Sequence, residues 1–144
     1  MEDFKLRVVQ GNLFDASDDS VFVQCISADF AMGKGIATEF NNRFNTKKKL
    51  MAAYPVNNWN CHGYCLPYEN TMNLVTKELC WKKPTPRTLR EALVDMRNLL
   101  SSNQTNIVMP KIGCGLDRLE WNEVEKMICE VFADTCVQIT VYEL

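Results

Sequence analysis

The chain has 144 residues, 47% apolar and 24% charged, with a formal net charge of −2. That length suits one domain, residues 1–144, with a core large enough to need no staples. The slight acidity argues against a broad electrostatic footprint for nucleic acid while leaving room for a local basic groove, and no run approaches the ~18 apolar residues that span a bilayer, so no membrane partner is expected.

Taken in order, Leu6-Arg7-Val8-Val9-Gln10 reads as a first strand that ends at Gly11-Asn12-Leu13-Phe14. After a polar turn, Ser20-Val21-Phe22-Val23-Gln24-Cys25-Ile26 is a near-continuous apolar run, the pattern of a central strand buried on both faces. It leads through Ser27-Ala28-Asp29-Phe30-Ala31 into a glycine loop, Met32-Gly33-Lys34-Gly35-Ile36-Ala37. A helix follows, with Ile36, Phe40 and Phe44 on one face and Lys47-Lys48-Lys49 at its end, where cations complement the helix dipole.

Residues 54–60 form a loop, and residues 62–66 and 70–76 a strand pair around Pro67-Tyr68-Glu69. Cys61, Gly63 and Cys65 are expected on one face of the first of these strands. Thr85-Pro86 is a helix start, since threonine caps and proline fits the first helical position. Leu89, Ala92, Leu93, Met96, Leu99 and Leu100 trace one apolar stripe behind it. Ile107-Val108-Met109 is the next strand, running into a second glycine loop, Pro110-Lys111-Ile112-Gly113-Cys114-Gly115-Leu116-Asp117-Arg118-Leu119. The last helix is expected to begin near Asn122 as cap, with Glu125 completing a capping-box pattern and Val124, Met127, Ile128, Val131 and Phe132 facing inward. Residues 137–142 alternate in period two and close the chain with a strand.

The order β-β-α-β-β-α-β-α-β predicts an α/β fold with helices on both faces of one mixed sheet. Two glycine loops, each following a strand and preceding a helix, can meet at one rim of such a sheet. Backbone amides there suit a phosphate-containing ligand. Neither GxGxxG nor GxxxxGK[ST] is present, so a Rossmann fingerprint and a P-loop are both unsupported.

Seven cysteines, an odd number, with no secretory leader in the charged residues 1–5, read as free thiols in a reducing interior. An intracellular, nuclear or cytoplasmic location is therefore expected. The one histidine and the absence of any CxxC pair leave no metal-ligand set, so no metal or other cofactor is expected. Size alone suggests a monomer.

Gly11-Asn12-Leu13-Phe14, the segment 25–37 with its MGKGIA, and residues 110–119 together resemble the macrodomain family of ADP-ribose binders, in the expected order over nearly the whole chain. PKIGCGLDRLEW and the closing Ile139-Thr140-Val141-Tyr142-Glu143-Leu144 are most similar to the terminal ADP-ribose protein glycohydrolases of animals. MGKGIA and the GNL turn are also similar to bacterial antitoxin macrodomains that clear ADP-ribose from DNA.

The resemblance implies a single three-layer α/β/α macrodomain with a central mixed sheet of about six strands. It implies that Gly11, Asn12 and Leu13 meet the adenine end, with Asn12 standing where many macrodomains carry an aspartate. Asparagine accepts a hydrogen bond there without charge. Ser27, Met32, Gly33, Lys34, Gly35, Ile36 and Ala37 would hold the distal ribose and pyrophosphate. Pro110, Ile112, Gly113, Cys114, Gly115 and Leu116 would close from the other side, and Tyr142 would pack on adenine, with Leu144 completing the set.

Catalysis would turn on Lys77, which follows Thr76 at a strand end, and Asp117, which follows Gly113-Cys114-Gly115-Leu116. A neutral Lys77 amine could attack the anomeric carbon of the distal ribose and expel the carboxylate of a modified glutamate or aspartate, with Asp117 moving protons. The expected partners are ADP-ribose and ADP-ribosylated proteins, with O-acetyl-ADP-ribose as a lesser ester substrate. The alternative acceptor is ADP-ribosylated DNA, for which Lys34, residues 47–49, Lys82, Lys83 and Arg87 would supply a phosphate-tracking surface. A non-catalytic ADP-ribose reader would use the same loops.

Overall fold

The computed structural model describes residues 3–115 and 117–143. Six strands form one sheet in the order β1-β6-β5-β2-β4-β3. They are β1 (Lys5–Gln10), β2 (Val21–Ser27), β3 (Tyr64–Tyr68), β4 (Thr71–Lys77), β5 (Asn106–Pro110) and β6 (Gln138–Glu143). All neighbouring pairs are parallel except β3 with β4, which form the expected hairpin. Pro67 is tolerated because β3 is an edge strand, where its missing N–H faces no partner. The sheet is mixed and six-stranded, as the sequence predicts.

The apolar run of β2 is buried on both faces because helices cover both. Val21 and Val23 pack with Leu89, Leu93 and Met96 of α3 (Pro86–Leu99) and with Ile128 of α4 (Trp121–Phe132). Phe22 faces the opposite way, against Phe40 of α1 (Ile36–Phe44) and Leu13 of a single 3-10 turn, Leu13–Asp15. Phe14, Phe22, Phe40 and Phe44 form one aromatic cluster, with Phe14 edge-on to Phe40 at 5.2 Å. Such pairs contribute about 0.5–1.5 kcal/mol beyond their burial, so they pin α1 and the Gly11 turn against the sheet.

Several local expectations are corrected. The helix after the first glycine loop ends at Phe44, where Asn45 adopts the left-handed conformation, and a second helix, α2 (Thr46–Ala53), follows. Lys47, Lys48 and Lys49 therefore begin a helix rather than end one. α4 starts at Trp121 with Glu120 as its cap, whose carbonyl accepts from the amides of Glu123 and Val124. Asn122 thus lies inside the helix and caps nothing.

Cys61 and Gly63 precede β3 and do not share a strand face with Cys65. Gly63 instead packs so closely on α3 that a Cβ there would come within 1.9 Å of the Thr88 carbonyl oxygen. On α3 the stripe is buried from Leu89 to Met96, but Leu99 is 43% exposed because the helix ends there. Thr85 does cap it: its hydroxyl accepts from the Thr88 amide, and the Thr88 hydroxyl accepts from the Thr85 amide.

Candidate active site

The five parallel strands bring their carboxyl ends to one rim. Gly11 follows β1, Ser27 ends β2, Lys77 ends β4, Pro110 ends β5 and Glu143 ends β6. At the junction of β5 and β2 the chain leaves toward opposite faces, to α4 from one strand and to α1 from the other. Divergence of that kind opens a crevice, the usual ligand position in such sheets.

Lys77 and Asp117 meet beside this crevice. Nζ of Lys77 donates to Oδ1 of Asp117 at 2.7 Å, with the side chains only 14% and 15% exposed. They come from strands on either side of β2, and the Cys25 thiol of β2 lies close to both. Burial pushes that thiol far above its ordinary value, and the Asp117 carboxylate adds to the effect. Cys25 is therefore a neutral thiol, so the ion pair rests on an uncharged, poorly solvated floor.

The loop after β2 is held by a residue that sequence reasoning did not single out. Asp29 accepts from the Ser27 hydroxyl, from the Ala31 amide at 3.2 Å and, across the rim, from the Cys80 amide at 3.1 Å. Burial raises the Asp29 carboxyl, but these hydrogen bonds outweigh it and leave the group below its ordinary value. Beyond Asp29, Phe30 and Met32 both adopt positive φ, 56° and 45°, a region that side-chain-bearing residues seldom occupy. Both are buried, which over-determines the strained backbone and presents Gly33, Lys34 and Gly35 outward ahead of α1. The N-terminus of α1 has no side-chain cap, so its first amides face the rim.

The second loop is tightly self-bonded. The amides of Cys114, Arg118 and Leu119 donate to the carbonyls of Lys111, Gly115 and Gly113. Gly113 takes a φ of +74°, and a Cβ there would press on Leu119 at 3.0 Å. Lys111 is anchored by Glu143 at 2.7 Å, and Glu143 also accepts from Gln10 at 3.1 Å. The Glu143 carbonyl accepts from the Gly11 amide at 2.9 Å, which ties the first turn to this loop. Asn12 is exposed, and its side-chain carbonyl already accepts from the Phe14 amide at 2.9 Å. Tyr142 lies against Gly11, with ring carbon to Cβ position at 3.7 Å.

Against the pair, on the side of α3, lies a cleft of about 240 Å³ bounded by Trp59, Thr76, Lys77, Lys82, Lys83 and Arg87 among others. A larger hollow of about 520 Å³ opens around Arg97, Gln104 and Asp134, at the amino ends of the strands and away from every residue of the rim. Among the described residues, no group of three histidine, cysteine or acidic side chains could hold a metal ion.

No protein-family model matches the chain. Over 148 aligned residues it is 37% identical to the ADP-ribose glycohydrolase OARD1 of Bos taurus, covering 99% of this chain and 94% of that one. The chain belongs to this macrodomain family. The Homo sapiens protein of the same name is 36% identical over the same extent. Among solved structures, the macrodomain of Thermus aquaticus DarG superposes with a TM-score of 0.76 at 24% identity, over 98% of this macrodomain and 99% of that chain.

Within this macrodomain the rim gathers Gly11, Asn12, Leu13, Ser27, residues 32–37, Lys77, residues 110–115, Asp117 and Tyr142. Leu116 and Leu144 fall outside the described residues. Three of the gathered residues turn their side chains inward: Leu13, Met32 and Ile112 are core residues, so only their backbones face the rim. The basic residues do not form one surface. Lys49 pairs with Glu69 before β4, whereas Lys82, Lys83 and Arg87 lie at the cleft beyond its other end. Asp29, Cys25, Lys111 and Glu143 complete the site without having been read from sequence. Asp29 left a faint trace, as an acid two residues past a strand end, where a carboxylate can accept from loop amides.

Proposed function

We propose that this macrodomain hydrolyses mono-ADP-ribose esters of glutamate and aspartate side chains in proteins. The observation that carries the reading is the Lys77–Asp117 contact of 2.7 Å beside the crevice between two glycine loops. The name of its relatives, ADP-ribose glycohydrolase, supports the ligand and the class of reaction. The outward Gly33-Lys34-Gly35 segment and the uncapped start of α1 suit the diphosphate. The Gly11–Asn12 turn with Tyr142 suits the adenine. The Asn12 carbonyl accepts once, from Phe14, which leaves its second lone pair and its side-chain amide to meet the base.

The chemistry follows from the pair. Lys77 passes a proton to the Asp117 carboxylate and becomes a neutral amine. Its nitrogen attacks the anomeric carbon of the distal ribose, the bond from that carbon to the acceptor oxygen breaks, and its electron pair leaves with the carboxylate. Asp117 returns the proton to the departing oxygen. Water then adds to the same carbon, losing a proton to Asp117, while the carbon–nitrogen bond gives its pair back to Lys77. The last proton returns from Asp117 to the lysine, and the products are ADP-ribose and the free acid. O-acetyl-ADP-ribose is hydrolysed by the same steps when its acetyl group is on the anomeric oxygen, where acetate is the leaving carboxylate.

The test is release of ADP-ribose from a glutamate-modified protein in water enriched in oxygen-18. Cleavage at the sugar carbon leaves the released carboxylate unlabelled. Label in the carboxylate would overturn the lysine mechanism in favour of acyl cleavage. ADP-ribose binding without release from protein or DNA would leave a reader.

A further inference from the structure

The cleft beside Lys77 lies on the α3 side of β4, and its bounding residues include none of either glycine loop. Anything seated in it still touches Lys77. Four of its bounding residues, Lys77, Lys82, Lys83 and Arg87, are cations and one, Glu78, is an acid, while Lys77 also pairs with Asp117 and Arg87 with Glu91 at its margin. Thr76 is 1% exposed, and its hydroxyl oxygen is buried with no hydrogen-bond partner among the described residues. An orphaned buried hydroxyl costs stability unless something fills its demand. Thr76 is one of the residues that bound the cleft. Trp59 provides an apolar wall.

Building on the reaction proposed above, we infer that this cleft is the acceptor subsite, and that it takes an acidic peptide segment around the modified residue. The Thr76 hydroxyl donates to the departing carboxylate, Trp59 packs on its methylenes, and Lys82 and Lys83 face a neighbouring acidic side chain. Arg87 holds the wall, donating to the Cys61 carbonyl at 2.9 Å and to both oxygens of Glu91 at 2.9 and 3.0 Å. The Lys82–Glu78 contact, 3.0 Å long, is 44% exposed on both sides, and exposed pairs of this kind are weak enough for a substrate carboxylate to replace. The volume, about 240 Å³, accommodates a side chain and part of its neighbour. A polynucleotide fits less well, because the basic residues that would track successive phosphates are split between opposite ends of β4.

The experiment compares kcat/KM for peptides carrying one ADP-ribosylated glutamate flanked by glutamates, alanines or lysines. The wild type should favour the acidic flank over the alanine flank about tenfold, with the preference shrinking as salt is raised. The doubly substituted Lys82→Glu, Lys83→Glu chain should lose or reverse the preference. Thr76→Val should lower kcat/KM on every peptide about tenfold while Tm holds or rises, since the hydroxyl it removes has no partner. Equal rates on all three flanks would overturn the subsite and leave the hydrolase standing. No release from any peptide would sink the hydrolase and the subsite together. ADP-ribosylated DNA preferred over every peptide, with that preference lost in the Lys82, Lys83 variant, would reassign the cleft to nucleic acid.

Discussion

Lys77 and Asp117 lie 2.7 Å apart although they enter the rim from strands on either side of β2. The contact reaches across β2, from the end of β4 to the loop that follows β5. Replacing Lys77 by Ala or Met, or Asp117 by Ala or Asn, is expected to reduce ADP-ribose release by at least about 100-fold. Affinity for ADP-ribose should stay within a few fold, because both glycine loops remain. Release kinetics beside calorimetry separate the two effects, and loss of binding in all four variants would make the pair structural. Lys77→Arg keeps a cation beside Asp117 but cannot supply a neutral amine, so it should be as inactive as Lys77→Ala.

Asp29 anchors the first glycine loop to Cys80, 51 residues further on. Its carboxyl lies below the ordinary value of 3.8, so its contribution is complete above that pH and is lost as pH falls below it, through the folded-state value. Asp29→Asn should weaken ADP-ribose binding at neutral pH, by loosening Ala31 and the segment behind it, and should flatten the acid limb of stability. Thermal melts from pH 2 to 7 on both proteins measure this. Identical acid limbs would show that the anchor carries no folded-state preference.

Gly63 and Thr88 leave no room for a side chain between the turn before β3 and α3. Gly63→Ala should cost about 3 kcal/mol, the upper end for overpacking, because the new carbon would start 1.9 Å from a backbone oxygen. For a chain of this size that lowers Tm by about 6–12 °C. A melt within 1 or 2 °C of wild type would mean that the turn lifts away from α3 at little expense.

Leu93 and Leu99 belong to the same apolar stripe in the sequence but not in the structure. Leu93 is fully buried and Leu99 is 43% exposed. Leu93→Ala is expected to destabilise by about 2–5 kcal/mol, and Leu99→Ala by less than about 0.5 kcal/mol. Urea titrations give both numbers, and equal losses would show that Leu99 is covered in solution.

Thiol reactivity should divide the cysteines by environment. Cys61 and Cys80 are exposed, whereas Cys65 is buried, and burial pushes the thiols of Cys25 and Cys65 far upward. Mass spectrometry of the native protein under limiting alkylating reagent should find Cys61 and Cys80 modified well before Cys25 and Cys65. Early labelling of Cys25 would mean that the floor under the ion pair opens readily.

The sequence carried the sheet and its rim because those depend on local pattern. The unbroken apolar run of β2, the alternation in β6, and two glycine loops between strand and helix are readable within ten residues. What escaped depends on partners far along the chain. Asp29 looks like any loop acid until the Cys80 amide is brought to it. Lys111 and Glu143 look like solvated charges until β5 and β6 lie side by side. The helix break at Asn45 escaped for the opposite reason: residues 46–53 are good helix formers, and only the left-handed backbone of Asn45 turns them onto a new axis. Asn122 and Glu125 match a capping pattern, but Trp121 already packs against the core, and the cap falls at Glu120, two residues sooner.

The pairing of β1 with β6 joins Lys5 to Gln138 and Gln10 to Glu143. During synthesis β1 therefore waits, without its neighbour, until residues 138–143 have left the ribosome. Meanwhile β5 exposes an open edge, and the Gly11 amide lacks the Glu143 carbonyl that will receive it. Long-range parallel pairing of this kind forms slowly, so the rim that gathers the two glycine loops is closed by the last of these six strands to emerge. A nascent chain halted before β6 would have most of its core and no working rim.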